Sequence, residues 1–248
     1  MSQLLDLPFE LIHLIVECFH SKHDINALVQ TCRFFYDTYD SYLYRYDMQY
    51  CNRSALRWAA CRGFDKVAAK SLAAGRYIEE ASELDGSTPL LLAVRHGNAD
   101  IVKRLLLLGS RVRLEAWDWW SGRTALAEAA ANGEAEIARL LLEKGASLET
   151  TDRDYRSPLL LAVENGHDEV VKVLLNQGAA VNSRGKHYQT PLSSASERGH
   201  LGCVDILLDH GAKIGLQDRN GRTELFHAAN QGHGAVVKRL TDAGANPY

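Results

Sequence analysis

The sequence lacks most of the features that mark membrane, secreted or metal-built proteins. No apolar run reaches the 18 or more residues that a bilayer crossing needs. The five cysteines (Cys18, Cys32, Cys51, Cys61, Cys203) are odd in number and scattered, with no C-x-x-C pair. They read as reduced thiols, not as a disulfide frame or a zinc site. The first residues carry no basic n-region, and Asp6 and Glu10 stand where a signal peptide is apolar, so a cytoplasmic or nuclear protein is expected. Charge of neither sign dominates: 28 basic against 31 acidic residues leave a net −3, which gives no bulk attraction to nucleic acid. Five prolines and 19 glycines in 248 residues exclude collagen-like and low-complexity classes. No G-x-x-x-x-G-K-[ST], strand-borne G-x-G-x-x-G or H-E-x-x-H occurs, so no cofactor, metal or catalytic set is expected.

What is present is periodic. A Thr/Ser-x-Leu triplet recurs at Ser54, Thr88, Thr124, Ser157, Thr190 and Thr223, in steps of 34, 36, 33, 33 and 33 residues. Two glycine columns keep the same phase: Gly63, Gly97, Gly133, Gly166, Gly199, Gly232, and Gly75, Gly109, Gly145, Gly178, Gly211, Gly244. A fixed period of this length means a stacked array in which each unit buries its apolar face against its neighbours.

Each column has a physical reason. Ser or Thr caps a helix start, and the proline behind it (Pro89, Pro158, Pro191) suits the first helical position. A small residue follows (Ala59, Ala93, Ala129, Ala162, Ala195, Ala228) and allows close helix packing. The first glycine stops that helix. A second, amphipathic helix follows, as in Glu169-Val170-Val171-Lys172-Val173-Leu174-Leu175, and ends at the second glycine in a left-handed cap. Ile206 and Leu208 of the fifth unit become Arg239 and Thr241 in the sixth, which predicts a polar C-terminal cap.

The pattern resembles the ankyrin repeat, with Thr-Pro-Leu and the Gly-His pairs at Gly166, Gly199 and Gly232 as its strongest matches. The resemblance implies an all-α ankyrin-repeat solenoid of helix-turn-helix units joined by hairpin loops, over residues 49–248 (about 52–84, 85–120, 121–153, 154–186, 187–219 and 220–248). The family's histidine after Thr-Pro-Leu is missing in every copy, which puts some inter-repeat hydrogen bonding in doubt. His167, His200 and His233 recur in phase and read as scaffold residues.

Residues 1–48 do not follow the repeat. Seven of the nine residues from Leu11 to Phe19 are apolar, more than a helix with one wet face needs, so this helix should be covered on two sides. Leu7-Pro8-x-Glu10-Leu11, Ile15, Asp24-Ile25, Leu28 and Thr31-Cys32-Arg33-x-Phe35 resemble the F-box, a small helical domain. That resemblance implies docking on the Skp-type adaptor of a cullin–RING ubiquitin ligase, with Leu7, Pro8, Leu11, Ile15, Ile25 and Leu28 at or beside the contact. A helical cap that binds nothing is the alternative. Six tyrosines between Tyr36 and Tyr50 are expected to hold this segment to the first repeat.

Ankyrin arrays, by the same resemblance, capture partners with hairpin tips and exposed inner-helix positions. Here the tips supply Trp119, Trp120, Arg123, Arg153, Arg156, Lys186, His187, Arg219 and Arg222, the candidate target-binding residues. With Arg62, Arg95 and Arg198 on the inner helices, the face counts nine cations. Against them stand Asp85, Asp154, Glu164 and Glu197, so a charge near +5 is expected, suited to an acidic or phosphorylated target. The 36-residue step puts three extra residues in the hairpin that holds Trp117, Trp119 and Trp120. Tryptophan is the residue type most enriched at binding hot spots. The resulting expectation is a non-catalytic receptor, monomeric outside its complex, with protein partners and neither nucleic acid nor membrane. A scaffold without a ligase role is a second reading; a small-molecule-binding or enzymatic array is a third.

Overall fold

The computed structural model of the chain describes residues 55–73, 81 and 85–246. The chain divides into two units, Met1–Ser54 and Ala55–Tyr248, and the described residues belong to the second. The F-box-like residues Leu7, Pro8, Leu11, Ile15, Ile25 and Leu28, and the tyrosines between 36 and 50, lie outside the described residues.

The second unit is a stack of six helix pairs. The inner helices are α1 (Ala55–Arg62), α3 (Pro89–Arg95), α5 (Ala125–Asn132), α7 (Pro158–Glu164), α9 (Pro191–Arg198) and α11 (Glu224–Asn230). The outer helices are α2 (Asp65–Ala73), α4 (Ala99–Leu106), α6 (Ala135–Glu143), α8 (Asp168–Asn176), α10 (Leu201–Asp209) and α12 (Gly234–Asp242). Among the described residues there is no strand, only one antiparallel bridge between Trp117 and Thr124. That bridge and a 3₁₀ turn at Gly109–Arg111 lie within the longer step between the second and third repeats.

The helix starts follow from their caps. The hydroxyls of Thr88, Thr124, Ser157, Thr190 and Thr223 accept the amides of Leu91, Ala127, Leu160, Ser193 and Phe226 at 3.2–3.4 Å. Ser193 stands where the family carries histidine, and its own hydroxyl accepts the Thr190 amide at 2.9 Å, closing a capping box.

Packing follows the columns too. The inner-helix alanines Ala59, Ala93, Ala129, Ala162, Ala195 and Ala228 are fully buried, which lets neighbouring inner helices approach closely. Each outer helix from the second repeat on contributes one fully buried leucine: Leu105, Leu141, Leu174, Leu207 and Leu240. Each such burial contributes about 1.5–3 kcal/mol against an exposed leucine.

The in-phase histidines bond from one repeat to the preceding one. Nε2 of His167, His200 and His233 donates to the carbonyls of Ala131, Glu164 and Glu197 in the preceding repeat, at 3.0, 3.3 and 3.0 Å. Each ring lies over the glycine that ends the preceding inner helix. A Cβ at Gly133 would meet His167 at 2.7 Å, so this glycine supplies clearance as well as its left-handed φ of 79°. Arg239 of α12 pairs with Asp205 of α10 at 2.5 Å, and Thr241 donates to the Val237 carbonyl of its own helix at 2.8 Å.

Candidate functional site

The inner helices deliver five tips to one edge of the stack: tip 2 (residues 85–87), tip 3 (118–123), tip 4 (152–156), tip 5 (185–189) and tip 6 (218–222). Aspartates organise three of them, Asp118 and Asp152 buried and Asp218 half-buried. Asp118 accepts the amides of Trp120 and Ser121 at 2.9 and 2.7 Å, and the Ser121 hydroxyl as well. Asp152 accepts the amides of Asp154 and Arg156 at 2.9 and 3.0 Å. Asp218 accepts the amides of Asn220 and Arg222 at 2.8 and 3.0 Å. A carboxylate that satisfies two turn amides fixes the loop conformation.

These aspartates also overturn the expected charge of the face. Arg95 is paired with Glu128 at 2.8 Å and Asp118 at 3.4 Å. Arg123 lies between Glu128 at 3.4 Å and Asp152 at 3.7 Å. Arg156 holds Asp152 at 2.8 Å, with Asp154 and Glu164 each at 3.4 Å. Lys186 holds Asp154 at 3.0 Å, and Arg222 faces Asp218 at 3.4 Å. Adding Asp118, Glu128, Asp152 and Asp218 to the four acids already counted sets nine cations against eight anions. The face is near neutral and not +5, because these acids point inward beneath the arginines and position along the repeat alone does not reveal them. Arg153 and Arg219 have no acidic partner among the described residues.

Burial would raise the Asp118 carboxyl, but the Ser121 hydroxyl, the Ser121 and Trp120 amides and Arg95 together hold it below its ordinary value. Asp218 follows the same logic. Burial opposes ionisation, while the Arg222 and Asn220 amides, His227 (3.1 Å) and Arg222 outweigh it and lower the carboxyl.

The tryptophan hairpin presents indole surface without fully freeing it. Trp117 is 50% exposed and Trp119 48%, whereas Trp120 is 78% exposed. The Trp119 amide donates to the Asp85 carbonyl at 2.8 Å, and its ring covers Gly86 so closely that a Cβ there would collide with the indole. Trp119 is therefore partly spent on joining tip 3 to tip 2. Trp120 is the most open of the three.

The tips share a left-handed corner that no motif marks. Gly86, Gly122 and Gly221 hold left-handed φ values of 71°, 73° and 75° just before the residue preceding each helix cap. Tyr155 and Tyr188 occupy that same position in tips 4 and 5, each with φ of 61°. A left-handed non-glycine residue costs about 1–2 kcal/mol. The signal was available in the phase of the sequence, as two tyrosines in a glycine column.

The described residues contain no cluster of acidic, histidine or cysteine side chains able to hold a metal. No described helix is long and apolar enough to cross a membrane.

Comparison with known proteins agrees with this geometry. A model of ankyrin repeats (3 copies) matches residues 12–116, 107–185 and 159–248. The first match takes in most of the F-box-like segment, and no F-box match accompanies it. Over 89 residues the chain is 36% identical to the E3 ubiquitin-protein ligase XBAT33 of Arabidopsis thaliana, a stretch covering 36% of this chain. The chain spans 17% of that relative's length. With its repeat phase, its capped helix pairs and matches along nearly its whole length, the chain belongs to the ankyrin-repeat family, whose arrays are protein–protein interaction modules.

Proposed function

We propose that the protein is a substrate receptor of an SCF-type ubiquitin ligase. The N-terminal segment docks the Skp-type adaptor, and the ankyrin face captures a protein target in the cytoplasm or nucleus. The chain does no bond chemistry itself; ubiquitin transfer belongs to the ligase's partner enzymes. The observation that carries the reading is the ordered pattern Leu7-Pro8-x-Glu10-Leu11, Ile15, Ile25, Leu28 and Thr31-Cys32-Arg33-x-Phe35 ahead of a six-unit array. A matching stretch in a protein named as a ubiquitin ligase supports the pathway. Trp120 is the principal apolar contact for the target, because it offers the most indole surface at the tips. Trp119, Arg123, Arg153, Arg156, Lys186, His187, Arg219 and Arg222 form the polar and aromatic surround.

Affinity purification of the full chain from cells tests this reading. The adaptor and cullin should co-purify with wild type and be lost with Leu7→Ala/Pro8→Ala. Their absence from wild type, or their retention by the variant, overturns the ligase role. The ankyrin match that begins at residue 12 favours a second reading, a scaffold whose N-terminal segment completes the array. On that reading, target capture occurs with no adaptor recovered.

A further inference from the structure

We propose that tip 5, with Tyr155 of tip 4 and Arg219 of tip 6, forms an anion-binding cleft that takes a phosphorylated or carboxylate side chain of a partner peptide. The proposal rests on reading the tips as a protein-capture surface and supplies the ligand chemistry of that surface. The cleft is an open cavity of about 630 Å³ walled by Tyr155, Arg184, Lys186, His187, Tyr188 and Arg219, besides Gly185. That is within the size range of small-ligand sites. Its walls hold four basic side chains and no carboxylate.

The first argument is charge. Tips 4 and 6 carry an aspartate that neutralises the arginine four residues on, as Asp152 does Arg156 and Asp218 does Arg222. In tip 5 the aspartate position is Gly185 and the arginine position is Gln189. Lys186 is held by Asp154, but Arg184 and Arg219 have no acidic partner among the described residues. The Arg184 guanidinium lies 5.4 Å from the centre of the Tyr188 ring. This stacking orients the group while leaving its N–H edge for a bidentate anion. At Arg95, Arg123, Arg156 and Arg222 an entering anion would compete with a resident carboxylate; at Arg184 and Arg219 it would not.

The second argument is the gap itself. Backbone hydrogen bonds join tip 3 to tip 2 (Trp119 to Asp85, 2.8 Å), tip 4 to tip 3 (Arg153 to Ser121, 2.9 Å) and tip 6 to tip 5 (Arg219 to His187, 2.9 Å). No such bond joins tip 5 to tip 4 among the described residues, and the cleft opens there. The third is strain. Tyr155, His187 and Tyr188 are the non-glycine residues with left-handed φ among the described residues, and all three line this cavity. Strained backbone persists where the surrounding structure enforces it, and it gathers at active sites and ligand clamps. Tyr155 and Tyr188 are 67% and 56% exposed, so burial in the fold does not account for them.

The test uses the full chain and fluorescein-labelled nonapeptide pools, degenerate except for a central phosphoserine, glutamate or serine. By fluorescence anisotropy the phosphoserine pool should bind at least tenfold tighter than the serine pool, with glutamate between them. Arg184→Glu/Arg219→Glu should abolish that preference. Tyr155→Gly/Tyr188→Gly should weaken phosphoserine binding while raising Tm by about 4–16 °C, since glycine relieves the left-handed strain at both positions. Equal affinity for the three pools overturns the proposal, as does a preference that survives the charge reversal. A fall in Tm on the tyrosine-to-glycine change also counts against it, because the rings would then be structural packing. Tighter binding of a degenerate single-stranded RNA than of the phosphoserine pool would reassign the cleft. Adaptor recovery measured on the same samples separates the two readings. Loss of pool binding with the adaptor retained sinks the cleft alone, and the converse sinks only the ligase role.

Discussion

Tips 5 and 6 sit 33 residues apart and differ at every position of the loop: Gly185-Lys186-His187-Tyr188-Gln189 against Asp218-Arg219-Asn220-Gly221-Arg222. In tip 6, Asp218 satisfies two amides, faces Arg222 and accepts from His227, and glycine takes the left-handed corner. In tip 5 no carboxylate stands at the aspartate position, a tyrosine occupies the strained one, and Arg184 beside it has no acidic partner among the described residues. The scaffold beneath is shared: the Thr190 and Thr223 hydroxyls each accept the amide three residues on, and Leu207 and Leu240 are both fully buried. A repeat protein can thus hold its inner and outer helices constant and vary the tip between a self-satisfied loop and one with capacity for a ligand.

The largest effect belongs to the shared scaffold. Leu174→Ala and Leu207→Ala should each cost about 2–5 kcal/mol, since each empties a sealed volume between helix pairs. Urea denaturation should give similar losses for the two, and a difference between them would break the equivalence of the repeats. Next comes the tip-6 carboxylate. Asp218→Ala leaves His227 and the Asn220 and Arg222 amides without their acceptor and should cost about 1–3 kcal/mol at neutral pH. An unchanged midpoint would show that tip 6 is not held by its aspartate.

The sequence made the scaffold legible because its constraints are local. A hydroxyl that caps a helix, a proline in its first turn and a glycine at its end each declare themselves by residue type and phase. The charge of the face was not legible. Asp152 and Asp218 lie four residues before the arginines they neutralise, and Asp118 neutralises Arg95 of the preceding repeat, but only the folded turns show these carboxylates beneath the tips. Trp119 was read as free contact surface, and the contact of its ring with Gly86 depends on tertiary register across the longest repeat step. Tyr155 and Tyr188 could have been found by asking which backbone conformation their column imposes.

A smaller effect sharpens the comparison by exchanging the corner residues. Gly221→Tyr should cost about 1–2 kcal/mol and Tyr155→Gly should stabilise by a similar amount, opposite signs at equivalent positions. Matching signs would mean that the corner conformation is not what distinguishes the tips. The smallest effect is in pH. Asp118 and Asp218 are lowered from an ordinary value of 3.8, so their contribution is fully present above pH 3.8 and fades as pH falls through their folded values. Asp118→Asn/Asp218→Asn should therefore lose less stability than wild type between pH 5 and pH 3. Parallel curves would contradict the assignment of these carboxylates.

The central claim, a docking end joined to a capture face, is tested most directly by mixing purified full-length chain with a purified Skp-type adaptor and measuring the complex by size-exclusion chromatography with light scattering. Wild type should form a one-to-one complex and Leu7→Ala/Pro8→Ala none. Two separate peaks for wild type, at concentrations well above those of the cell, would contradict it.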